Sequence, residues 1–162
     1  MYETYYGLSG KPFQLSPDPE FFFGSRGHRR AMAYLEYGLH QAEGFIVVTG
    51  EVGAGKTTLV QQLLRRLPID NVVPVQIVTT QLEADDLVRI VASSFGLPTE
   101  ASDKATLLIR LEQYLRSLQA EGKRALLIVD EAQNLGARAI EELRMLSNFQ
   151  IGTKATLQSF LL

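Results

Sequence analysis

The stretch Phe45-Ile46-Val47-Val48-Thr49-Gly50-Glu51-Val52-Gly53-Ala54-Gly55-Lys56-Thr57-Thr58 carries the reading of this chain. It opens on an apolar run rich in β-branched residues and passes through a glycine-rich middle. Beyond it Leu59, Val60, Leu63, Leu64 and Leu67 fall at helical spacing. Strand, tight loop and helix, in that order, are the context a phosphate-binding P-loop requires.

Each position in the loop has a physical reason. A polyphosphate brings several negative charges that must be met by amide donors without steric interference. Gly50, Gly53 and Gly55 allow backbone conformations that a Cβ would block, so successive N–H groups can point into one concavity. The helix starting near Lys56 adds its unpaired N-terminal amides and the positive end of its dipole. Lys56 can reach the β- and γ-phosphates, and the Thr57 hydroxyl can ligate Mg²⁺. With Glu51, Val52, Ala54 and Thr58 these residues form the expected nucleotide-binding set, with ATP and Mg²⁺ as the expected cofactors. The competing reading, a glycine-rich turn with an incidental lysine, leaves the strand and helix on either side unexplained.

Composition narrows the rest. A chain of 162 residues, 46% hydrophobic, has enough apolar material for one domain with a substantial core, not comfortably two. Sixteen basic and eighteen acidic side chains leave a formal charge of −2, so no global pull toward nucleic acid or an anionic membrane is evident. With no cysteine there are no disulfides or thiolate metal sites, and two histidines are too few for a histidine cage. Apolar runs are strand-length, far short of the ~20 residues that span a bilayer. Met1-Tyr2-Glu3-Thr4-Tyr5-Tyr6 lacks the features of a signal peptide. A soluble, unexported chain is expected.

A second chemical stretch is Ala125-Leu126-Leu127-Ile128-Val129-Asp130-Glu131. A continuous apolar run ending in two acids reads as a central parallel strand, buried on both faces, with carboxylates at its C-terminal edge. Ligands bind at that edge in open α/β sheets. Asp130 is expected to orient Mg²⁺, and Glu131 to polarise the water that attacks the γ-phosphate, so Glu131 and Lys56 are the candidate catalytic residues. Two acids after a strand are commonly a helix cap or a solvated turn. The P-loop some seventy residues upstream is what favours the catalytic reading.

The remaining segments supply the scaffold. Residues 1–24 are rich in aromatics and proline and are expected to form an arm lying extended on a core of 25–162, over the adenine end of the site or over core alone. Ser25 is placed to cap a helix with Ala31, Tyr34, Leu35, Gly38 and Leu39 inward. His28 in its first turn is a candidate nucleotide contact, set against a solvated polar face. Val72–Val78 reads as a strand, and Glu83–Phe95 as a helix closed by Gly96. Leu107, Leu108, Leu111, Tyr114, Leu115 and Leu118 mark a longer helix ended by Gly122, and Ile140, Leu143, Leu146 and Phe149 another. Ala155–Leu162 reads as a last strand with no loop after it, so the chain is expected to stop short of a complete sheet. The expected fold is a three-layer αβα P-loop NTPase with a mostly parallel central sheet.

With both motifs in hand the chain resembles an AAA-type P-loop ATPase. More narrowly, Tyr5-Tyr6-Gly7-Leu8, Lys11-Pro12-Phe13, Pro17-Asp18-Pro19, Phe21-Phe22, His28, Leu35-Glu36-Tyr37-Gly38-Leu39, Gly44–Gly50 and Asp130-Glu131-Ala132-Gln133 together resemble the general secretion pathway protein A family, including ATPases of exosortase-linked exopolysaccharide loci. The resemblance implies a bacterial cytoplasmic ATPase that binds ATP and ADP, self-associates when full length and works with envelope secretion or polysaccharide-export membrane proteins. It further implies attachment at the inner membrane through regions outside this chain. The family's sensor residue, trans-acting arginine and helical lid would fall at or beyond Leu162. Two other classes remain open, a DNA-transposition helper ATPase and a nucleotide-gated scaffold with little turnover. The slightly acidic charge argues against a nucleic-acid partner.

Overall fold

The fold is built on a four-stranded parallel sheet in the order β1-β6-β3-β2. The computed structural model describes residues 2–8, 10, 22–41, 44–67, 71–79, 83–151 and 154–162. In chain order these form α1 (Tyr2–Tyr5), α2 (Arg26–Gln41), β1 (Phe45–Val47), α3 (Lys56–Arg66), β2 (Val72–Val78), α4 (Ala84–Ser94) and α5 (Lys104–Ala120). Then follow β3 (Arg124–Asp130), a 3₁₀ turn at Ala132–Asn134, α6 (Ala137–Ser147), β4 (Gln150–Ile151), β5 (Lys154–Ala155) and β6 (Leu157–Leu161). β4 and β5 make a small antiparallel ribbon of their own.

The period-2 alternation of a strand splits the interior in two. In β3, Ala125, Leu127 and Val129 face one side and pack with Leu87 and Val91 of α4, Leu111 and Leu115 of α5, and Leu143 and Leu146 of α6. Leu126 and Ile128 face the other side and pack with Met32 and Leu35 of α2 and with Leu59, Val60 and Leu63 of α3. The middle strands β3 and β6 are buried on both faces, β3 as a continuous apolar run and β6 with Gln158 and Ser159 buried among its apolar residues. This is the expected three-layer α/β fold.

The order of strands is not the order of the chain. β6, last in sequence, lies between β1 and β3, pairing Ile46 with Phe160 on one side and Ile128 with Phe160 on the other. β1 and β2 are therefore the edges, and an edge is where Pro74, which has no N–H to donate, is tolerated. α2 approaches β1 so closely that a Cβ on Gly38 would stand 2.3 Å from Ile46 Cδ1. The Gly38 carbonyl accepts a hydrogen bond from the buried Gln158 of β6 at 2.9 Å.

Several local expectations shift. The strand before the P-loop ends at Val47, not Thr49. On α2, Met32 is buried where Tyr34 was expected; Tyr34 is 62% exposed and lies under the Arg30 guanidinium. An aromatic ring with a polar tip can face water when a cation covers it, and the narrower aliphatic side chain fills the helix–sheet gap. Ile140 is 44% exposed, and Phe149 lies beyond the end of α6. Of the N-terminal arm, residues 11–21 lie outside the described residues. Tyr2–Tyr5 forms a helical turn with Tyr5 and Tyr6 exposed, and Phe22 packs on the α2–α3 core.

Candidate functional site

The site forms where β1 and β3 end on the same edge of the sheet. β1 hands the chain to a loop over residues 48–55, and α3 starts at Lys56 with Gly55 as its N-cap. Gly53 and Gly55 have φ of +79° and +82°, the left-handed conformation that lets a compact loop turn its amides inward. Gly50 differs from its expected role. Its φ is not left-handed, and a Cβ there would meet Ala54 and Lys56 at ordinary contact distances of 3.5 and 3.7 Å. The loop geometry alone does not demand glycine at that position.

The Lys56 ammonium is held by the loop itself, donating to the Gly50 carbonyl at 3.0 Å and the Glu51 carbonyl at 3.2 Å. It lines a cleft of about 330 Å³ together with Val52, Gly53, Gly55, Thr57, Thr58, Asp130 and Glu131. Both halves of the sequence reading thus meet around one space. Gly50 and Glu51 instead border an apolar cleft of about 700 Å³ at the ends of β1 and β6 beside Ile140 of α6, which Lys56 and Val52 also touch. Ala54 and His28 line a third, smaller cleft of about 180 Å³ beneath α2.

Asp130 is placed by the register of the sheet. β3 runs parallel to β2 with Val78 opposite Asp130, so the carboxylate emerges at the strand's C-terminal end facing the start of α3. The Thr57 hydroxyl donates to Asp130 Oδ2 at 2.9 Å across 73 residues of sequence. The same oxygen accepts from Gln76 at 3.4 Å, and Oδ1 accepts from the Glu131 amide at 3.0 Å. Among the described residues no group of three or more His, Cys, Asp or Glu could enclose a metal ion. A hydroxyl and a carboxylate side by side nevertheless suit Mg²⁺, which is bound through one or two protein oxygens and otherwise by water and phosphate. The residues present fit that ion.

Glu131 lies one residue past the strand with φ of +56°, an unusual conformation for a residue with a Cβ. Three residues to which the sequence assigned no role in the site hold this turn. Thr79, fully buried after β2, donates from Oγ1 to the Asp130 carbonyl at 3.0 Å and the Glu131 carbonyl at 2.6 Å. Asn134 donates to the Thr79 carbonyl at 3.1 Å. Gln133 donates to the Glu131 carboxylate. Thr79 was findable, because a hydroxyl directly after an apolar strand can reach the neighbouring strand's end once the two are known to be adjacent. That adjacency is tertiary information.

His28 contacts the loop. Its Nε2 lies 2.9 Å from the Ala54 carbonyl oxygen and its Nδ1 lies 2.7 Å from Ser25 Oγ. Phe22 packs edge-on against the ring, 5.3 Å between centroids.

The comparisons with known proteins agree with this fold. The chain is 39% identical over 163 aligned residues to General secretion pathway protein A of Aeromonas hydrophila, an alignment covering all of this chain and 30% of that protein. The narrower resemblance read from the sequence is thereby met. Among solved structures, the Aeropyrum pernix ORC2 protein in its ADP form aligns with 93% of this chain and 44% of its own, with a TM-score of 0.61 at 18% identity. Drosophila ORC bound to DNA aligns with 84% of this chain and 37% of its own, with a TM-score of 0.59 at 20% identity. At such identities the likeness is one of fold alone. The chain spans about a third of the curated relative and less than half of each of these structures. The AAA domain family matches residues 39–162, a span that holds both the phosphate loop and the Asp130–Glu131 turn. The chain belongs to the AAA domain family.

Proposed function

We propose that this chain is the nucleotide-binding unit of an ATPase that binds Mg²⁺-ATP, hydrolyses it and energises or regulates assembly of a bacterial envelope secretion or polysaccharide-export system. The observation that carries the binding part is the Thr57–Asp130 contact, 2.9 Å long, beside Lys56 at the mouth of the loop. Two segments far apart in sequence converge on the donor set a Mg²⁺-triphosphate needs. Loop amides and the α3 N-terminus take the phosphates, and Lys56 leaves its carbonyl partners to balance their charge. Thr57 and Asp130 would hold Mg²⁺, which when bound would supply charge neutralisation at the phosphates. Glu131, exposed at the cleft, accepts a proton from the attacking water. Similarity to a protein named for the general secretion pathway supports the secretion role. Self-association, a cytoplasmic setting and membrane-protein partners at the inner membrane belong to the same proposal. In the described residues no helix is long and apolar enough to cross a membrane.

One observation favours a second reading, a nucleotide-gated scaffold with slow turnover. The Glu131 carboxylate is already engaged by Gln133, so the base must change partners before it can serve water.

Titration calorimetry with Lys56→Ala tests the shared core of both readings. The variant should lose Mg²⁺-ATP affinity by tenfold or more with an unchanged circular dichroism spectrum, since it removes charge and little buried apolar surface. Equal affinity in variant and parent would remove the phosphate-loop assignment.

A further inference from the structure

His28 stands on α2, lines the small cleft and not the one with Thr57 and Asp130, and hydrogen-bonds the loop at one main-chain atom. That atom is the Ala54 carbonyl oxygen, 2.9 Å from Nε2. A carbonyl only accepts, so Nε2 carries the proton. In the neutral ring Nδ1 is then the acceptor, and its partner is Ser25 Oγ at 2.7 Å. The Ser25 oxygen also receives the His28 amide at 3.3 Å, which ties the serine to the same helical turn. Of the two neutral tautomers, only the one protonated at Nε2 satisfies both ring contacts.

The Ala54–Gly55 peptide links these contacts to the phosphate loop. A trans peptide is planar, with its C=O and N–H pointing in opposite directions, and the described residues include no cis bond. Holding the Ala54 carbonyl toward α2 turns the Gly55 N–H away from α2. Gly55 borders both spaces, the small cleft that His28 lines and the cleft with Lys56, Thr57 and Asp130. Its φ of +82° leaves a peptide plane that no side chain on Gly55 itself can brace, and a Cβ there would stand 3.3 Å from His28 Nε2. The restraint has to come from outside the loop. Phe22, edge-on to the imidazole at 5.3 Å, keeps the ring from swinging away.

We infer that His28 is a positioning residue that, oriented by Ser25, pins the Ala54 carbonyl and so aims the Gly55 amide at the phosphates, without touching the nucleotide base. This rests on the proposal that the loop binds a nucleoside triphosphate. It separates sharply from a contact to adenine, because an amide aimed at phosphate serves any polyphosphate.

The test is calorimetric titration of the chain and its variants with Mg²⁺-ATP, Mg²⁺-GTP and inorganic tripolyphosphate with Mg²⁺. His28→Asn keeps an amide near the Nδ1 position and loses the donor to Ala54. His28→Gln restores a donor near the Nε2 position. His28→Asn should weaken all three ligands by a common factor of about 2–10, the range one net hydrogen bond allows, and His28→Gln should recover most of it. Ser25→Ala should weaken all three in the same sense by a smaller factor. Unfolding midpoints measured without ligand should match between the Asn and Gln variants, so the difference between them reads positioning, not folding. A loss confined to ATP and GTP, with tripolyphosphate unchanged, would show a base contact and overturn the inference. Equal affinities in wild type and His28→Asn would overturn it as well. A wild-type chain that binds none of the three would instead remove the nucleotide reading beneath it.

Discussion

Replacing Thr79 with valine isolates what holds the Asp130–Glu131 turn, because the two side chains share a shape and differ in one hydroxyl. Thr79 is fully buried, and its single proton is shared between carbonyls at 3.0 and 2.6 Å. The Asp130 carbonyl keeps a second partner in the Thr79 amide at 3.1 Å, so the main loss falls on Glu131. One net neutral hydrogen bond contributes about 0.5–1.5 kcal/mol. A methyl carbon also needs about 3.3 Å or more from a carbonyl oxygen, so valine pushes the Glu131 carbonyl outward. The left-handed conformation at Glu131 costs about 1–2 kcal/mol and persists only while its surroundings enforce it. The expected loss of folding stability is therefore about 1–2 kcal/mol, or a fall of about 2–8 °C in Tm for a chain of this size. If the turn relaxes in the same proportion, kcat falls about 5–30-fold while nucleotide affinity holds, since Thr79 touches no part of the loop. Urea denaturation gives the first quantity, and steady-state hydrolysis with calorimetric affinity gives the second. Thr79→Ser should behave like the parent in turnover. A valine variant with parental stability and parental kcat would refute the claim that this hydroxyl enforces the turn.

The other predictions concern separate parts of the molecule. Glu131→Gln should retain Mg²⁺-ATP binding and slow hydrolysis by about 10²-fold or more, as when a general base is lost, while Asp130→Asn should weaken Mg²⁺-dependent binding; single-turnover assays with and without Mg²⁺ distinguish them. Val47, 63% exposed on β1 at the open edge, invites strand pairing between copies, and Val47→Lys should lower concentration-dependent association in sedimentation experiments. Asp103 caps α5 by accepting from Thr106 at 2.8 Å, and hydrogen bonds from Thr106 hold its carboxyl below the ordinary 3.8. Because the folded-state value is depressed, this stabilisation is present above the ordinary value and fades as pH falls through and below it. Asp103→Asn keeps a capping oxygen without the titration, so its unfolding should be less acid-sensitive than the parent's as pH falls through and below the ordinary carboxylate range.

Much of the fold could be read without coordinates, for identifiable reasons. The P-loop pattern is local, and a strand, a glycine turn and a helix in succession constrain one another over fourteen residues, as β1, residues 48–55 and α3 do here. The run from Leu126 to Val129 is apolar without alternation, which only a strand covered on both faces can sustain, and its two faces do enter the two cores. Ser25, Gly96 and Gly122 marked helix limits through capping chemistry that acts over three or four residues. Tyr34 and Ile140 misled because helical spacing defines a face but not its width. Which residue at the margin turns inward depends on the gap left by the neighbouring element.

The sequence by itself determined the two chemical motifs, the three-layer class and the choice of Lys56, Thr57, Asp130 and Glu131 as the candidate polar residues of one cleft, since each is recorded by short-range order in residue type. Only the tertiary structure decided that β6 enters between β1 and β3, that Thr79 and Asn134 brace the turn at Glu131, and that His28 meets the loop at the Ala54 carbonyl. These are contacts between segments tens of residues apart. They follow from strand order and register, which are set by the packing of all the layers at once and leave no mark in any single stretch of chain.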